Sequence, residues 1–283
     1  MRRRWAAAAA VPLLLLTACG PQPSAGNPDP ETGTGSMSAD EVVLRVRQTG
    51  GFVPAPLIVG RLPMITVYGD GRVISEGPVT MIYPGPALPN VQEGTLSPAE
   101  VDALVERAIA AGVGGSPDVG QPGITDNPNT RFTLRADGAT KELEVYALPE
   151  TIGLTQAQIR NRKALTDLIE SVTAGSGSGS TVYEPAAVAA IVTPWVAPGA
   201  DAGVTAPDPV AWPGPALPGK TMGSADLGIG CVVAEGDQAT AVLAAAAKAN
   251  AATPWTSGGK KWSVMLRPLL PDETGCADLS KQS

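Results

Sequence analysis

The chain contains no histidine, and this absence removes several chemistries at once. Without an imidazole there is no Ser-His-Asp or Cys-His catalysis, no histidine metal site, and no side chain that ordinarily titrates near neutral pH. An enzyme built on this chain would have to work with carboxylates, lysine or tyrosine. We therefore expect a protein that is not an enzyme and that uses no cofactor and no metal.

Aromatic residues and cysteines are also scarce: the aromatic fraction is 4%, and there are only three cysteines. Apolar residues nevertheless make up 43% of the chain, which suffices for the cores of one large or two small domains. Acidic residues outnumber basic ones by 27 to 20, a formal charge of −7. Because an acidic surface repels phosphate backbones, we expect no nucleic-acid partner.

The N-terminus carries an export signal. Met1 to Arg4 are basic, Trp5 to Leu16 are apolar, and Leu16-Thr17-Ala18-Cys19 follows. This segment resembles a bacterial lipoprotein signal with its lipobox. The resemblance implies cleavage before Cys19, whose thiol receives a diacylglycerol with acyl chains such as palmitate. The apolar stretch is too short to span a bilayer, which needs about 20 residues.

The mature chain is therefore predicted to be anchored on the extracytoplasmic face of the cell membrane, where two acyl chains hold firmly. Removing residues 1–18 takes away three arginines and no acidic residue, so the formal charge becomes −10. The arginines leave both the general secretory and the twin-arginine export routes open.

Composition divides the rest of the chain into segments. Residues 19–40 are rich in Pro, Gly, Ser and Thr and predict a disordered tether. A Gly/Ser run at residues 174–180 predicts a linker between a first domain, residues 41–173, and a second, residues 181–283.

Two cysteines remain in this exported chain, Cys231 and Cys276, and outside the cytosol such a pair predicts a disulfide. Its loop would stabilise the fold by about 4 kcal/mol on the chain-entropy view.

Local patterns predict an α+β fold of two small antiparallel sheets with packed helices. Leu44 and Val46 alternate with arginines, as in a half-buried strand. The predicted elements of the first domain are hairpins at Asp70-Gly71 and Asp137-Gly138, a strand at Val79–Tyr83, and helices that begin at Ser97-Pro98-Ala99-Glu100 and Thr155–Gln158. Those of the second domain are a short helix after Pro185, a strand at Gly230–Ala234, a helix from Asp237, and a last strand. In that last strand the residues predicted to face inward are Trp262, Val264 and Leu266, and those predicted to face outward are Lys261, Ser263, Met265 and Arg267.

One seven-residue motif occurs twice: Tyr83-Pro84-Gly85-Pro86-Ala87-Leu88-Pro89 returns as Trp212-Pro213-Gly214-Pro215-Ala216-Leu217-Pro218. Each copy precedes a predicted helix and strand. Two divergent copies of one unit would explain this. The alternative is chance, because Pro-Gly-Pro is common in proline-rich chains.

Three motifs point to chemistry but lack its context. Residues 214–221 match a phosphate-binding loop letter by letter, yet Pro215 and Pro218 remove two of the backbone donors that such a loop needs. Ser257-Gly258-Gly259-Lys260 matches a Ser-x-x-Lys motif, but two glycines indicate a hairpin turn rather than a helix start. A calcium loop remains open at a set of residues that more often form turns: Asp118, Asp126, Asn127 and Asn129.

Two family resemblances follow. Thr49-Gly50-Gly51-Phe52, with Leu96-Ser97-Pro98-Ala99-Glu100-Val101, is similar to the emfourin-type inhibitors of thermolysin-like proteases over about 100 residues, and implies an inhibitory first domain. The chain departs from that pattern by a proline-rich insertion, Val53–Pro63. The C-terminal half resembles an uncharacterised family of secreted lipoproteins from high-GC, actinobacterial-type bacteria, and this implies no known activity. The residues that carry it are Cys231-Val232-Val233, Ala249-Asn250-Ala251, Trp255, Arg267-Pro268-Leu269-Leu270-Pro271-Asp272-Glu273 and Cys276.

These observations predict a membrane-anchored, non-enzymatic module that binds a protein, a peptide or an envelope component. The candidate interaction residues are Phe52, Trp195, Trp212 and Trp255. The alternative is a protease inhibitor acting through the first domain, with an exposed rigid loop at Gly50–Pro56. Hydrolysis by paired carboxylates comes third. A binding module should expose a sizeable apolar patch.

Overall fold

A computed structural model of the protein describes residues 37–177, 179–199 and 207–282. The predicted signal, Cys19 and most of the tether lie outside these residues. All described residues belong to one compact unit that spans Thr34–Ser283. Both helices and largely antiparallel sheets are present, so the predicted α+β class is confirmed. Within the described ranges, no helix is long and apolar enough to cross a membrane.

The first sheet has seven strands, all paired antiparallel, in the order β6-β5-β1-β2-β3-β4-β7. Its strands are β1 (Val42–Thr49), β2 (Ile65–Tyr68), β3 (Arg72–Glu76), β4 (Val91–Thr95), β5 (Asn129–Ala136), β6 (Ala139–Tyr146) and β7 (Thr181–Val182). The Asp-Gly hairpins are confirmed: Gly71 has φ +88°, and Asp137 and Gly138 have φ +52° and +70°. Those left-handed conformations give the turn a twist that suits the flanking strands.

Three helices lie in this part of the chain: α1 (Ala55–Gly60), α2 (Pro98–Ala110) and α3 (Gln156–Gly177). The cap of α2 is as predicted, since Ser97 Oγ accepts from the Glu100 N–H and the Glu100 carboxylate accepts from the Ser97 N–H at 2.7 Å. Thr155 and Gln158 make the same reciprocal pair before α3. Leu104 of α2 and Leu165 of α3 are fully buried with Phe132 in the core of the first sheet.

The second sheet has six strands in the order β10-β11-β8-β13-β12-β9, antiparallel except for the β9–β12 pair. Its elements are β8 (Ala187–Pro194), β9 (Val210–Ala211), β10 (Lys220–Thr221), a 3-10 helix (Ala225–Leu227), β11 (Gly230–Glu235), α4 (Gly236–Ala246), β12 (Trp255–Ser257), β13 (Lys260–Pro268) and α5 (Cys276–Gln282). Residues of α4 pack on one face of this sheet, and residues of α1 and α5 pack on the other. The sheet is therefore covered on both sides.

Three local predictions were wrong. The segment after Pro185 is the strand β8 and not a helix, because it is central in the sheet and pairs with β11 and β13. Residues 79–83 form an exposed loop and not a strand. Arg267, predicted to face outward, is fully buried against Glu273, because both faces of β13 are covered.

The disulfide prediction is confirmed: Cys231 and Cys276 are bonded, with 6.1 Å between their Cα atoms. The bond fastens α5 to β11. In the Gly/Ser segment, residues 175–177 continue α3, and Ser176 Oγ donates to the Val172 carbonyl at 2.8 Å. A division into two domains at this segment stays a prediction. Side chains also bond across it, since Arg45 Nη2 and Tyr68 Oη both donate to Asp272 Oδ1, at 2.7 and 2.8 Å.

Candidate interaction surface

The most exposed apolar segment is the loop between β3 and β4, which we call the apolar loop (residues 77–90). No charged residue occurs from Gly77 to Gln92. Met81 is 97% exposed and Tyr83 84%, and Val79 and Ile82 beside them are also exposed. Large apolar side chains held in water are costly, so a patch of this kind marks a surface that contacts something else.

The base of the apolar loop is fixed by backbone hydrogen bonds. The Gly77 N–H donates to the Asn90 carbonyl at 2.7 Å, which closes the loop. The Ala251 N–H donates to the Gly85 carbonyl at 2.8 Å, and Ala87 N–H donates to the Ala249 carbonyl at 3.3 Å. Ala87 and Leu88 pack against the core of the second sheet. The exposed tip is thus held out from a fastened base.

An apolar groove of about 330 Å³ runs beside this base. Most of its wall comes from three separate parts of the chain, which are α1 and the residues after it, the apolar loop, and β13; the end of β3 and the segment before β12 each add one residue. Its lining residues are Leu57, Gly60, Arg61, Leu62, Glu76, Pro86, Ala87, Pro89, Ala251, Val264, Met265 and Leu266. Gly60 lets α1 approach the sheet closely, because a Cβ there would clash with Met265 Sδ and lie 2.9 Å from Ile191 Cδ1.

The groove lies at an edge of the second sheet. It is lined both by α1, which packs on one face of that sheet, and by Ala87, which packs on the other. On one side of β13, the strand β12 pairs with it only at Lys260–Trp262. On the other side, β8 pairs with β13 from Trp262 to Pro268. In the described parts of the chain, no strand pairs with Val264–Leu266 on the β12 side. The groove therefore runs along a stretch of β13 that pairs with no described strand on this side, and Val264 and Leu266 in this stretch are themselves buried.

Two opposite charges stand at the rim of the groove. Arg61 Nη1 donates to the Gly50 carbonyl at 3.1 Å, so its guanidinium is held in place. Glu76 is exposed, yet partial desolvation of its carboxylate raises its pKa, and Arg267 and Arg61 oppose that rise. The rim can thus pair with polar groups at the ends of a bound chain, while the walls are mostly apolar.

Phe52, a predicted interaction residue, is 87% exposed. It follows Gly50 and Gly51, which have φ +63° and +87° in the region that favours glycine. Its N–H donates to the Asp126 carbonyl at 3.2 Å, and Gly51 lies against Pro128. The turn therefore presents Phe52 on a fixed backbone, and the insertion that follows it folds into α1.

The tryptophans lie elsewhere and do not form a common surface. Trp212 and Trp255 are buried and pack edge to face with ring centroids 5.4 Å apart. Trp212 Nε1 also donates to the Pro215 carbonyl at 2.7 Å. Trp195 is half-buried, with Lys261 Nζ 5.1 Å from its ring centroid. Trp212 and Trp255 are thus packing residues in the core of the second sheet.

The buried charges are bonded within the fold: Arg162 donates to backbone carbonyls, and Arg267 and Glu273 form an ion pair. Arg267 Nη2 donates to Glu273 Oε1 at 2.7 Å with both side chains fully buried, and the burial lowers the pKa of Arg267. Glu273 also accepts from the Leu270 N–H at 2.8 Å. Burial raises the pKa of Tyr68, and the neighbouring Asp272 carboxylate raises it further. Asp272 and Glu273 are each held by an arginine, as in structural pairs rather than in a hydrolytic pair.

Of the candidate calcium residues, Asp118, Asp126 and Asn127 lie in loops and Asn129 begins the strand β5. Asp118 Oδ1 accepts from the Gly120 N–H at 3.1 Å, and Asn127 Nδ2 donates to the Thr125 carbonyl at 3.2 Å. Among residues 37–177, 179–199 and 207–282, no group of three or more His, Cys, Asp or Glu could hold a metal ion. The phosphate-loop match ends in the strand β10 and not in a helix, and Ser257 and Lys260 flank the turn between β12 and β13.

The sequence predicted Phe52 as an interaction residue, which stays a prediction, but it did not predict the apolar loop or the groove. The signal for the loop was present, because a run of 16 uncharged residues with four prolines at 78, 84, 86 and 89 is unusual beside charged strands. Proline cannot donate to a strand ladder, which argued against the predicted strand. No local signal marks the groove, because its walls come together only in the folded chain.

Comparison of the chain with protein-family models, with curated proteins and with solved structures finds no match in any of the three. The groove, the apolar loop and the Phe52 turn are therefore the features of the molecule that bear on its function.

Proposed function

We propose that this protein is a lipoprotein anchored through diacylated Cys19 on the extracytoplasmic face of the cell membrane, and that its folded unit is a non-enzymatic binding module. Its ligand is an extended apolar segment of a partner protein, bound in the groove. The observation that carries this proposal is the open edge of β13 at Val264–Leu266, which lies in an apolar groove beside an uncharged loop.

An open strand edge binds an extended peptide by adding it as a further strand. Backbone hydrogen bonds to β13 supply affinity, and the groove walls select the side chains that fit. Apolar walls from Leu57 and Pro89 favour aliphatic residues at alternate positions of the bound segment. A core depleted of charge with Arg61 and Glu76 at the rim has the composition of a protein interface.

Crosslinking in the native cell tests the groove. A photoreactive residue is placed at Leu57, which is 45% exposed on the groove wall, or at Leu227, which is 52% exposed. Leu227 is the matched control, because it belongs to the 3-10 helix between β10 and β11 at the opposite edge of the second sheet. We expect one protein to crosslink at 57 and not at 227, through an apolar segment identified by mass spectrometry.

A synthetic copy of the captured segment then tests strand addition. It should bind the purified protein and lose binding when alternate backbone nitrogens are methylated, since methylation removes donors and leaves the side chains in place. Equal capture from 57 and 227, or equal binding of the methylated peptide, would reject the groove as a site of strand addition.

The anchor has its own test. Mass spectrometry of the mature N-terminus should find diacylglycerol on Cys19, and Cys19→Ala should release the protein from the membrane. An unmodified N-terminus cut away from Cys19 would contradict the anchor and leave the groove untouched.

The Phe52 turn supports a second candidate, inhibition of a thermolysin-like protease. A rigid turn that holds an 87%-exposed phenylalanine has the form of a substrate-like loop. The purified protein should then slow such a protease at equimolar amounts, with Phe52→Ala inactive and Leu227→Ala fully active. Unchanged proteolysis in molar excess of the protein would exclude this activity.

A further inference from the structure

The tip of the apolar loop is a second membrane contact: we propose that Val79, Met81, Ile82 and Tyr83 insert into the surface of the bilayer to which the lipid anchors the chain. This inference rests on the proposed anchor and adds an orientation to it. Anchored at one point alone, the folded unit would be free to turn. A second contact fixes which face points toward the membrane, and leaves the groove beside that contact.

The chemistry of the tip suits the bilayer interface. Its side chains are aliphatic apart from Tyr83, and tyrosine is a residue enriched at the headgroup level, where its ring is apolar and its hydroxyl stays wet. Insertion desolvates no charge, because residues 77–92 contain none. This matters in a mature chain of net charge −10, whose surface anionic lipids otherwise repel.

The shape of the tip favours a membrane over a protein. Met81 and Tyr83 are almost fully exposed and therefore project from the surface, whereas a site for a protein segment is concave, as the groove is. Its fastened base, bonded at Gly77, Gly85 and Ala87, keeps the projection in place, so little order has to be gained on insertion.

The anchor brings the bilayer within reach. Seventeen residues separate Cys19 from Met37, the first described residue, and even a fully extended chain of that length spans at most about 60 Å. Tethering at such distances gives an effective concentration that makes a weak second contact sufficient. Four exposed apolar side chains therefore need only modest affinity for lipid.

The test uses the mature chain with Cys19→Ser and an N-terminal oligohistidine tag, recruited to vesicles that contain a nickel-chelating lipid. The chain has no histidine of its own, so only the tag binds nickel. Cys231 and Cys276 are joined, so an added cysteine is the one free thiol for an environment-sensitive fluorophore. The label is placed by Ile82→Cys or by Ile152→Cys, a matched pair at 59% and 61% exposure.

We expect the label at 82 to shift to the blue, brighten several-fold and be quenched by lipid-borne quenchers, while the label at 152 does not change. The response should be the same on phosphatidylcholine vesicles and on vesicles with added phosphatidylglycerol, because the tip is uncharged. Met81→Asp with Ile82→Asp, both on the exposed tip, should keep the circular dichroism of the wild type. The same pair should weaken vesicle binding of the tag-free chain by roughly tenfold or more.

A label at 82 that stays as hydrated as the label at 152 on both vesicle types would overturn the inference. A protein partner at the tip would overturn it as well. In that case the label at 82 would stay hydrated on vesicles, and crosslinking from position 82 in cells would capture a protein. Because the tag replaces the lipid, neither result depends on Cys19. Whether the native chain is anchored through Cys19 is determined separately, by mass spectrometry of its mature N-terminus.

Discussion

The two copies of the repeated motif, Tyr83–Pro89 and Trp212–Pro218, differ only in their first residue, yet that residue has opposite environments. Tyr83 is 84% exposed at the tip of the apolar loop, and Trp212 is 9% exposed in the core of the second sheet. The following residues behave alike, because Leu88 and Leu217 both pack against the same core. The shared leucine therefore packs each copy against the core, whereas the environment of the first, aromatic residue differs between the copies.

Spatial neighbours account for the difference. The Trp212 N–H donates to the Thr256 carbonyl at 3.0 Å, and its ring meets Trp255 edge to face. In the first copy the backbone contacts begin only at Gly85, two residues after the aromatic, so Tyr83 is left outside. Packing explains Trp212 completely and gives no reason for an aromatic residue at position 83. An exposed Tyr83 therefore points to a contact outside the folded unit.

The largest expected effect comes from truncating the two aromatics. Trp212→Ala should lower the free energy of unfolding by about 3–5 kcal/mol, because it empties a packed site in the core. Tyr83→Ala should change it by less than about 0.5 kcal/mol. Urea denaturation measures both. Equal losses would mean that Tyr83 also packs in the fold, and the comparison would fail.

The leucines of the two copies should differ less than the aromatics. Leu217→Ala, at a buried position, should cost about 2–4 kcal/mol of unfolding free energy, and Leu88→Ala, at a half-buried one, about 1 kcal/mol. Both numbers come from the same denaturation experiment. A silent Leu88→Ala would show that the base of the apolar loop is not fastened by the second-sheet core.

Exchanging the aromatics sharpens the contrast further. Trp212→Tyr keeps an aromatic ring but leaves a smaller side chain in the core, and should cost roughly 1–3 kcal/mol of unfolding free energy. Tyr83→Trp should be neutral for stability, because nothing in the fold encloses it. If Tyr83→Trp were strongly destabilising, the tip would be part of the packing and not an interaction surface.

The smallest expected effect concerns α5, which the disulfide fastens to β11, the strand that pairs with β10 just after the second copy. Asp278 accepts from the Thr274 N–H and hydroxyl, both at 2.8 Å, and these bonds lower its pKa from 3.8 to about 2. A carboxylate with a depressed folded-state pKa stabilises the fold above its unfolded value and loses that contribution as the pH falls toward 2.

Asp278→Asn should therefore lower the free energy of unfolding by about 1 kcal/mol at neutral pH, after allowance for solvent screening, and the difference should vanish as the pH approaches the lowered pKa. Denaturation curves of the two proteins across the acid range measure this. The accessibility of position 83, followed by the rate at which a Tyr83→Cys thiol reacts with a maleimide, should not respond to the substitution. A response at Tyr83 would show that the apolar loop is coupled to the second copy's side of the sheet.

Prediction from sequence succeeded where the determining contacts are local. The capping boxes at Ser97 and Thr155 and the hairpin at Asp137-Gly138 each depend on residues within four positions of one another. The disulfide could be predicted from a cysteine count and the predicted export signal. These features need no knowledge of which elements pack together.

Prediction from sequence failed where the conformation of a segment depends on elements that are distant in the sequence. The alanines of β8 favour a helix locally, but pairing with both β11 and β13 makes the segment a central strand. The inward position of Arg267 depends on Glu273 and on cover for both faces of β13. Phe52 was predicted to be an interaction residue, and the structure exposes it. The groove is assembled from several regions that are distant in the sequence, and no pattern within any one of them marks it.

The most direct test of the account is the accessibility of position 83 in living cells. A cysteine at Tyr83, and one at Ile152 as the control, is reacted with a membrane-impermeant maleimide in cells and in the purified protein. The account predicts that both positions react equally fast when purified, and that in cells position 83 is protected while position 152 is not. Equal reactivity of the two positions in cells would contradict the claim that the first copy of the motif presents an interaction surface.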